Sequence, residues 1–222
     1  MPKLPLEQLI DRENPAWEEI KELLSSGSHA YTLLPADRDA AAGTLSALQV
    51  STRSYLGAIA YETGGIRLDH GWVTVLGAGH SEVSGSLASW NGLGTQTDLA
   101  AYPDLLVVAY DAAGGFFALN TGRFGQDGYV YYFAPDTLEW ESTELAYSGF
   151  VNWLAHGDLD LFYQTFRWAG WQEDTEKLET GEVWGYYPPL WTAEGGGELS
   201  SHAPISVLEA WNQTSGQSRP QE

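Results

Sequence analysis

A chain of 222 residues with 30 acidic side chains against 10 Lys and Arg carries a formal charge of −20, and it contains no cysteine. Without thiols there are no disulfides, no Cys-ligated zinc, no iron–sulfur site and no thiol nucleophile, and the charge disfavours binding of nucleic acid or an anionic membrane through a general basic field. The length suits one ordinary domain or at most two small ones, with a real core possible, since a chain of this mass can bury about 70% of its extended surface.

Glu7 interrupts the first residues before an apolar run of secretory length, and nowhere do 18 uncharged apolar residues follow one another. A soluble, cytoplasmic protein is expected. Asn14-Pro15 before Trp17, Glu18, Glu19, Ile20 and Leu24 predicts a helix to about Ser26, with an asparagine cap, proline at the first position and acid in the first turn. After a break at Gly27-Ser28, Asp37 and the stripe Ala41, Leu45, Leu48 predict a second helix to about Val50. From Leu56 the texture changes to short β-rich runs. Strands are predicted at Gly57 to Tyr61, Ile66 to Leu68, Trp72 to Leu76, Leu105 to Tyr110, Phe116 to Leu119 and Tyr129 to Phe133. Turns at Gly64-Gly65, Asp69-His70-Gly71 and Gly114-Gly115 would join them into a mainly antiparallel meander. Gly77 to Pro103 reads as a long insertion with one short helix at Leu87 to Trp90, and long loops are often functional.

Asp136 to Glu141 reads as a seventh strand or a turn. Ser148 then caps Phe150, Val151 and Leu154, and Asp158 caps Leu159, Phe162, Tyr163 and Phe166, which makes an αα-hairpin. Extended chain follows from Tyr186 to Leu190, and Pro204 opens a last helix with Ile205, Leu208 and Trp211. Residues 213–222 read as a disordered tail behind a single domain of residues 1–212. Helices at both ends with strands between them make the class α+β, a mixed, mainly antiparallel sheet flanked by helices.

The catalytic motifs fail on their own geometry. Gly79-His80-Ser81-Glu82-Val83 has Val83 where a nucleophile elbow needs a second small residue. Glu82 stands where a dinucleotide motif begun by Gly77 and Gly79 needs its third glycine. The histidines, His29, His70, His80, His156 and His202, include no one-turn zinc pair; only Asp69-His70 with His80 could converge, and a hairpin turn explains Asp69-His70-Gly71 better. Glu139 and Glu141 would share a strand face with Trp140 on the other, but parallel carboxylates about 7 Å apart suit a solvated edge rather than a pair flanking a glycosidic bond. No metal or cofactor is expected. Of the ten tryptophans, Trp168, Trp171, Trp184 and Trp191 cluster with Tyr186, Tyr187, Pro188 and Pro189. Exposed, this cluster would be a sugar-stacking or protein-anchoring surface; buried, the preferred reading, it is a satellite core under a loop.

Five runs resemble a known family. ALQVSTRSYLGAIAYETGGIRLDHGWVTVLGAGH (Ala47 to His80), GGFFALNTG (Gly114 to Gly122), VYYFAPDTLEWE (Val130 to Glu141), YSGFVNWLAHGDLDLFYQTFRWAGW (Tyr147 to Trp171) and GYYPPLW (Gly185 to Trp191) look like the bacterial domain-of-unknown-function 2625 family, from about Leu9 to Trp211. More loosely, Leu105 to Asp111, Gly114 to Asn120, Val130 to Phe133, Pro135 to Glu141 and Ser148 to Leu154 resemble the SUKH superfamily. That resemblance implies a sheet flanked by helices. By analogy it implies a binding role, because many bacterial members are regarded as immunity proteins that neutralise toxins, often nucleases. It carries over no catalytic residues, and this chain departs from it in the long segments Gly77 to Pro103 and Trp168 to Ser201.

The expectation is a non-enzymatic protein-binding module of immunity type, with a basic or neutral protein as partner. Its contacts would be Glu62, Asp69, His70 and Trp72 around the strand turns, and Asp136, Glu139 and Glu141 on the later strand. The alternative is a carbohydrate-binding or carbohydrate-processing protein using Trp168, Trp171, Trp184, Tyr186, Tyr187 and Trp191. A third reading is a hydrolase using Ser81 or the neighbourhood of His70 and His80.

Overall fold

The structure, a computed structural model, describes residues 3–93, 102–196 and 199–217. In chain order its elements are α1 (Leu6–Leu9), α2 (Trp17–Ser26), β1 (Tyr31–Pro35), α3 (Arg38–Leu48), α4 (Tyr55–Glu62), β2 (Thr63–Leu68) and β3 (Val73–Leu76). There follow α5 (Leu87–Trp90), β4 (Leu105–Asp111), β5 (Phe116–Asn120), β6 (Tyr129–Phe133), β7 (Trp140–Ala146), α6 (Tyr147–His156) and α7 (Leu159–Phe162). The chain then makes α8 (Trp171–Thr175), β8 (Glu182–Tyr187), β9 (Ser201–Ser206) and α9 (Val207–Gln217). No described helix is long and apolar enough to cross a membrane.

The fold is α+β. Strands β1 to β7 form one sheet in chain order with every neighbouring pair antiparallel, and β8 pairs with β9 in a separate hairpin. Register assigns the faces. Thr32, Arg67, Thr74, Tyr110, Phe116, Phe133 and Trp140 stand side by side across the sheet, so they share one face. The aromatic half of that row is covered by α5 and α9, whose Trp90 and Trp211 rings lie 5.7 and 4.6 Å from Phe116. On the opposite face Phe150 of α6 packs 4.9 Å from Phe117, and Phe162 of α7 packs 5.2 Å from Tyr132.

Local chemistry sets several boundaries. Asp37 caps α3 by accepting from the Asp39 and Ala40 backbone N–H groups, and Asp158 caps α7 through Leu161. Ser86 and Ser89 close a capping box on α5, which spans the four residues expected in the long insertion; residues 94–101 of that insertion lie outside the described residues. The β2–β3 turn has positive φ at Asp69 (52°), His70 (56°) and Gly71 (82°), as its composition suggests.

Other expectations are corrected. Gly57 to Tyr61 is helix, not strand: Ser54 caps α4 through the Gly57 N–H, and the run Leu56 to Ala60 is buried all round. An apolar run without a period does not distinguish the two states. Gly64-Gly65 is no turn but the middle of the β1–β2–β3 ladder, where a Cβ on Gly64 would lie 2.7 Å from the carbonyl oxygens of Gly79 and Pro35. Strand β1 was not anticipated. Helix α2 begins at Trp17 after Ala16 rather than on the Asn14 cap, and α6 follows Ala146 rather than a Ser148 cap. Pro204 and Ile205 belong to β9, so α9 starts at Val207 and runs to Gln217, into the segment expected as a tail. Residues 218–222 lie outside the described residues.

Candidate functional site

Most of the aromatic segment is core. Arg167, itself buried, is the hub: its guanidinium lies 4.8 Å from the Trp72 ring, 4.9 Å from Tyr163 and 3.7 Å from Trp171. It also pairs with Asp69 through Nη2 and with Asp160 through Nη1 at 2.8 Å. A buried cation stacked on aromatic faces and held by carboxylates is a stable arrangement because each partner offsets the desolvation of the other. Trp168 continues the cluster, stacked on His202 at 3.7 Å and edge-on to Trp184 at 5.3 Å. The Trp184 N–H donates to the Ala112 carbonyl at 2.8 Å, which fastens β8 to the end of the sheet.

These positions decide which expected contacts can meet a ligand. Asp69 and Trp72 are buried, in the ion pair and under the aromatic cluster, so they are not surface contacts. His70 is exposed and its Nδ1 lies 2.9 Å from the Glu176 carboxylate. Glu62 ends α4, paired with Arg38 at 3.2 Å, and is not at a strand turn. His80 does not converge on His70; its Nδ1 accepts from the Glu82 N–H at 3.2 Å. Trp171 and Trp184 are buried in the main core and Trp168 and Tyr186, half-buried, pack against it, so these four are neither the exposed stacking surface of the alternative reading nor a separate satellite cluster.

Two aromatics of that segment remain outside. Tyr187 is 77% and Trp191 37% exposed. They line a pocket of about 270 Å³ whose remaining wall includes Pro189, Leu190, Ile205 and Pro135. Pro135 immediately precedes Asp136, in the turn from β6 to β7, where the Ala134 N–H donates to the Glu139 carbonyl. Glu139 and Glu141 are exposed, and no ion pair holds Asp136, Glu139 or Glu141 among the described residues. Asp136 and Glu139 lie in that turn, and Glu141 follows on β7, where it stands opposite Tyr132 and lines a different pocket with Trp153 and Phe162. The β6–β7 turn is at the same end of the sheet as the β2–β3 turn, with the β4–β5 turn between them.

Sequence reasoning missed two charged groups. One is Arg167, which sits alone among aromatics and shows no spacing pattern. The other is Asp111, fully buried at the end of β4. Its Oδ1 accepts from the Ala113 and Gly115 N–H groups at 3.0 and 2.8 Å, and its Oδ2 from the Tyr132 hydroxyl at 2.8 Å. Burial pushes this carboxyl up to about 6 against those hydrogen bonds. The available signal was the turn Asp111-Ala112-Ala113-Gly114-Gly115, in which a Cβ on Gly115 would collide with Tyr132 and Asp111.

Among the described residues no group of three or more His, Cys, Asp and Glu side chains could hold a metal ion. No solved structure matches the chain. It is 42% identical over 207 residues to the putative uncharacterized protein YbfG of Escherichia coli (strain K12), covering 93% of each chain. An uncharacterized protein of Haemophilus influenzae is 34% identical over 186 residues, 83% of this chain and 82% of that one. Residues 6–210 match the family described as protein of unknown function DUF2625, and with that span and those relatives the chain belongs to the DUF2625 family.

Proposed function

We propose that this protein is a non-enzymatic binding module of immunity type, which neutralises a basic protein partner. The observation that carries the reading is the 270 Å³ pocket with exposed Tyr187 and Trp191, adjoining a turn whose acids Asp136 and Glu139, with Glu141 just beyond them on β7, have no cationic partner among the described residues. Large aromatics around a pocket are the usual energetic centre of a protein interface, and unpaired acid of one sign steers a cationic partner toward it. The net charge of −20 extends that field over the whole molecule. The SUKH resemblance and the cytoplasmic setting belong to this same reading.

The test is retention of proteins from host lysate on the tagged chain, run in parallel with Trp191→Ala and with Asp136, Glu139 and Glu141 reversed to lysine. A basic protein held stoichiometrically, released as salt rises and lost on both variants is the expected result. Charge reversal should slow association about tenfold or more. Retention that ignores both variants, or no basic protein retained, overturns the reading. Quenching of tryptophan fluorescence by a glycan, abolished in Trp191→Ala, would assign the pocket to carbohydrate instead.

A further inference from the structure

A second cavity owes its floor to strand register. Arg67, Thr74 and Tyr110 are direct cross-strand neighbours on β2, β3 and β4. They line a cleft of about 510 Å³, within the range of small-molecule sites. Both long extra segments wall it: Glu82 comes from the first, and Thr175, Glu179 and Glu182 come from the second.

Three features of the lining point to a ligand. The Arg67 side chain, half-buried, makes no ion pair or hydrogen bond among the described residues, in a chain with 30 acids. Its guanidinium lies against Gly71, where a Cβ would collide with it. Next, Trp72 Nε1 and Thr175 Oγ1 are buried with no hydrogen-bond partner, on side chains that are both 0% exposed and both line the cleft. Buried donors left unmade are costly, and native proteins keep few of them without a reason. Finally, Glu82, Glu179 and Glu182 stand on the walls without a cationic partner among the described residues; Glu182 accepts from the Glu179 N–H at 2.9 Å.

The charges select the ligand class. A polyanion would face three carboxylates, and a simple polycation would leave Arg67 and the indole and hydroxyl donors unanswered. A neutral sugar would find no exposed ring to stack on, because Trp72 and Tyr110 are buried. We propose that this cleft binds a small zwitterion, an amino acid or dipeptide, with its carboxylate on Arg67, Trp72 Nε1 and the Thr175 hydroxyl and its ammonium toward Glu82, Glu179 and Glu182. One cation against three carboxylates further favours a basic side chain, so arginine and lysine bind ahead of neutral amino acids, and aspartate and glutamate bind last. The site is separate from the Trp191 pocket, with which it shares no lining residue among the described residues.

The test is calorimetric titration of the full chain with the standard amino acids, Arg- and Lys-containing dipeptides, acetate and putrescine. Arginine, lysine or a dipeptide of either should bind, with acetate and putrescine each at least about tenfold weaker because each offers half of the recognition. Arg67→Met should abolish binding. Thr175→Val keeps the shape and removes the unsatisfied hydroxyl, so it should raise the Tm of the free protein while weakening the ligand about tenfold. That opposite movement separates a binding role from a folding role. No binding by any amino acid or dipeptide at about 10 mM, glutamate binding as well as arginine, or affinity unchanged in both variants would overturn the proposal.

Discussion

Arg167 pairs with Asp69 across 98 residues of chain, and the same guanidinium lies 3.7 Å from the ring centre of Trp171. The β2–β3 turn is thereby tied to the segment after α7. Removing the cation leaves the buried Asp69 carboxylate with only His29, whose Nδ1 lies 3.8 Å from it, so Arg167→Met should lose about 3–5 kcal/mol in urea unfolding. Arg167→Lys should recover little of that, because an ammonium lacks the planar fork and the stacking face. The double variant with Asp69→Asn should be more stable than Arg167→Met. A loss under about 1 kcal/mol in Arg167→Met would show that the pair does not hold the turn.

Asp111 gives the fold a pH signature. Its carboxyl is raised from 3.8 to about 6 in the folded chain, so between those values the folded state binds a proton that the unfolded state has released. The associated stability is fully present below pH 3.8 and is lost as pH rises through about 6, a fall of about 3 kcal/mol. Asp111→Asn keeps an oxygen for the Ala113 and Gly115 N–H groups and cannot titrate. The difference in unfolding free energy between wild type and variant should therefore change across that window; a constant difference from pH 4 to 7 would refute the assignment.

Two glycines should respond oppositely to alanine. At Gly64 the added Cβ meets backbone oxygens at 2.7 Å that belong to two other segments, so Gly64→Ala should cost about 2 kcal/mol or more. Gly43 lies on α3 with nothing within 4 Å of its Cβ position, and Gly43→Ala should gain about 0.5–1 kcal/mol. Thermal unfolding of both variants decides it.

Trp171 and Trp191 come from one aromatic-rich stretch and should separate cleanly. Trp171→Ala opens the core beside Arg167 and should cost about 3–5 kcal/mol. Trp191→Ala should stay within about 1 kcal/mol of wild type in stability while losing the partner. Equal destabilisation by the two would place Trp191 in the core with its neighbour.

The meander was legible because β4, β5 and β6 pair with their chain neighbours and carry β-branched and aromatic runs between glycine turns. Helix α7 was legible from its Asp158 cap and α6 from its apolar stripe Phe150, Val151 and Leu154 but not from a cap, while α5 was placed without its capping box being read. Helix α4 was not: Leu56 to Ala60 is apolar at every position, so it offers no period, and only the Ser54 cap distinguishes helix from strand. Gly64-Gly65 shows a related ambiguity, since the glycines a turn uses for positive φ serve here for close backbone approach. Of the candidate site, the acids of the β6–β7 turn could be named, but their joining to Trp191 and Tyr187 could not, because Pro135 and Trp191 meet only in the folded chain.

Among the described residues the meander stops at β7, which leaves a row of backbone donors and acceptors with no further strand beside it. The strand carries Glu141 and Glu144 and is mostly exposed, its pairing with β6 slips between Val130 and Tyr131, and Glu144 turns through a φ of 58°. Two such strands brought together would oppose carboxylates and mismatch in register, which keeps one copy from adding to the next. Replacing both glutamates by neutral residues would remove the charge component of this guard and leave only the broken register to resist aggregation.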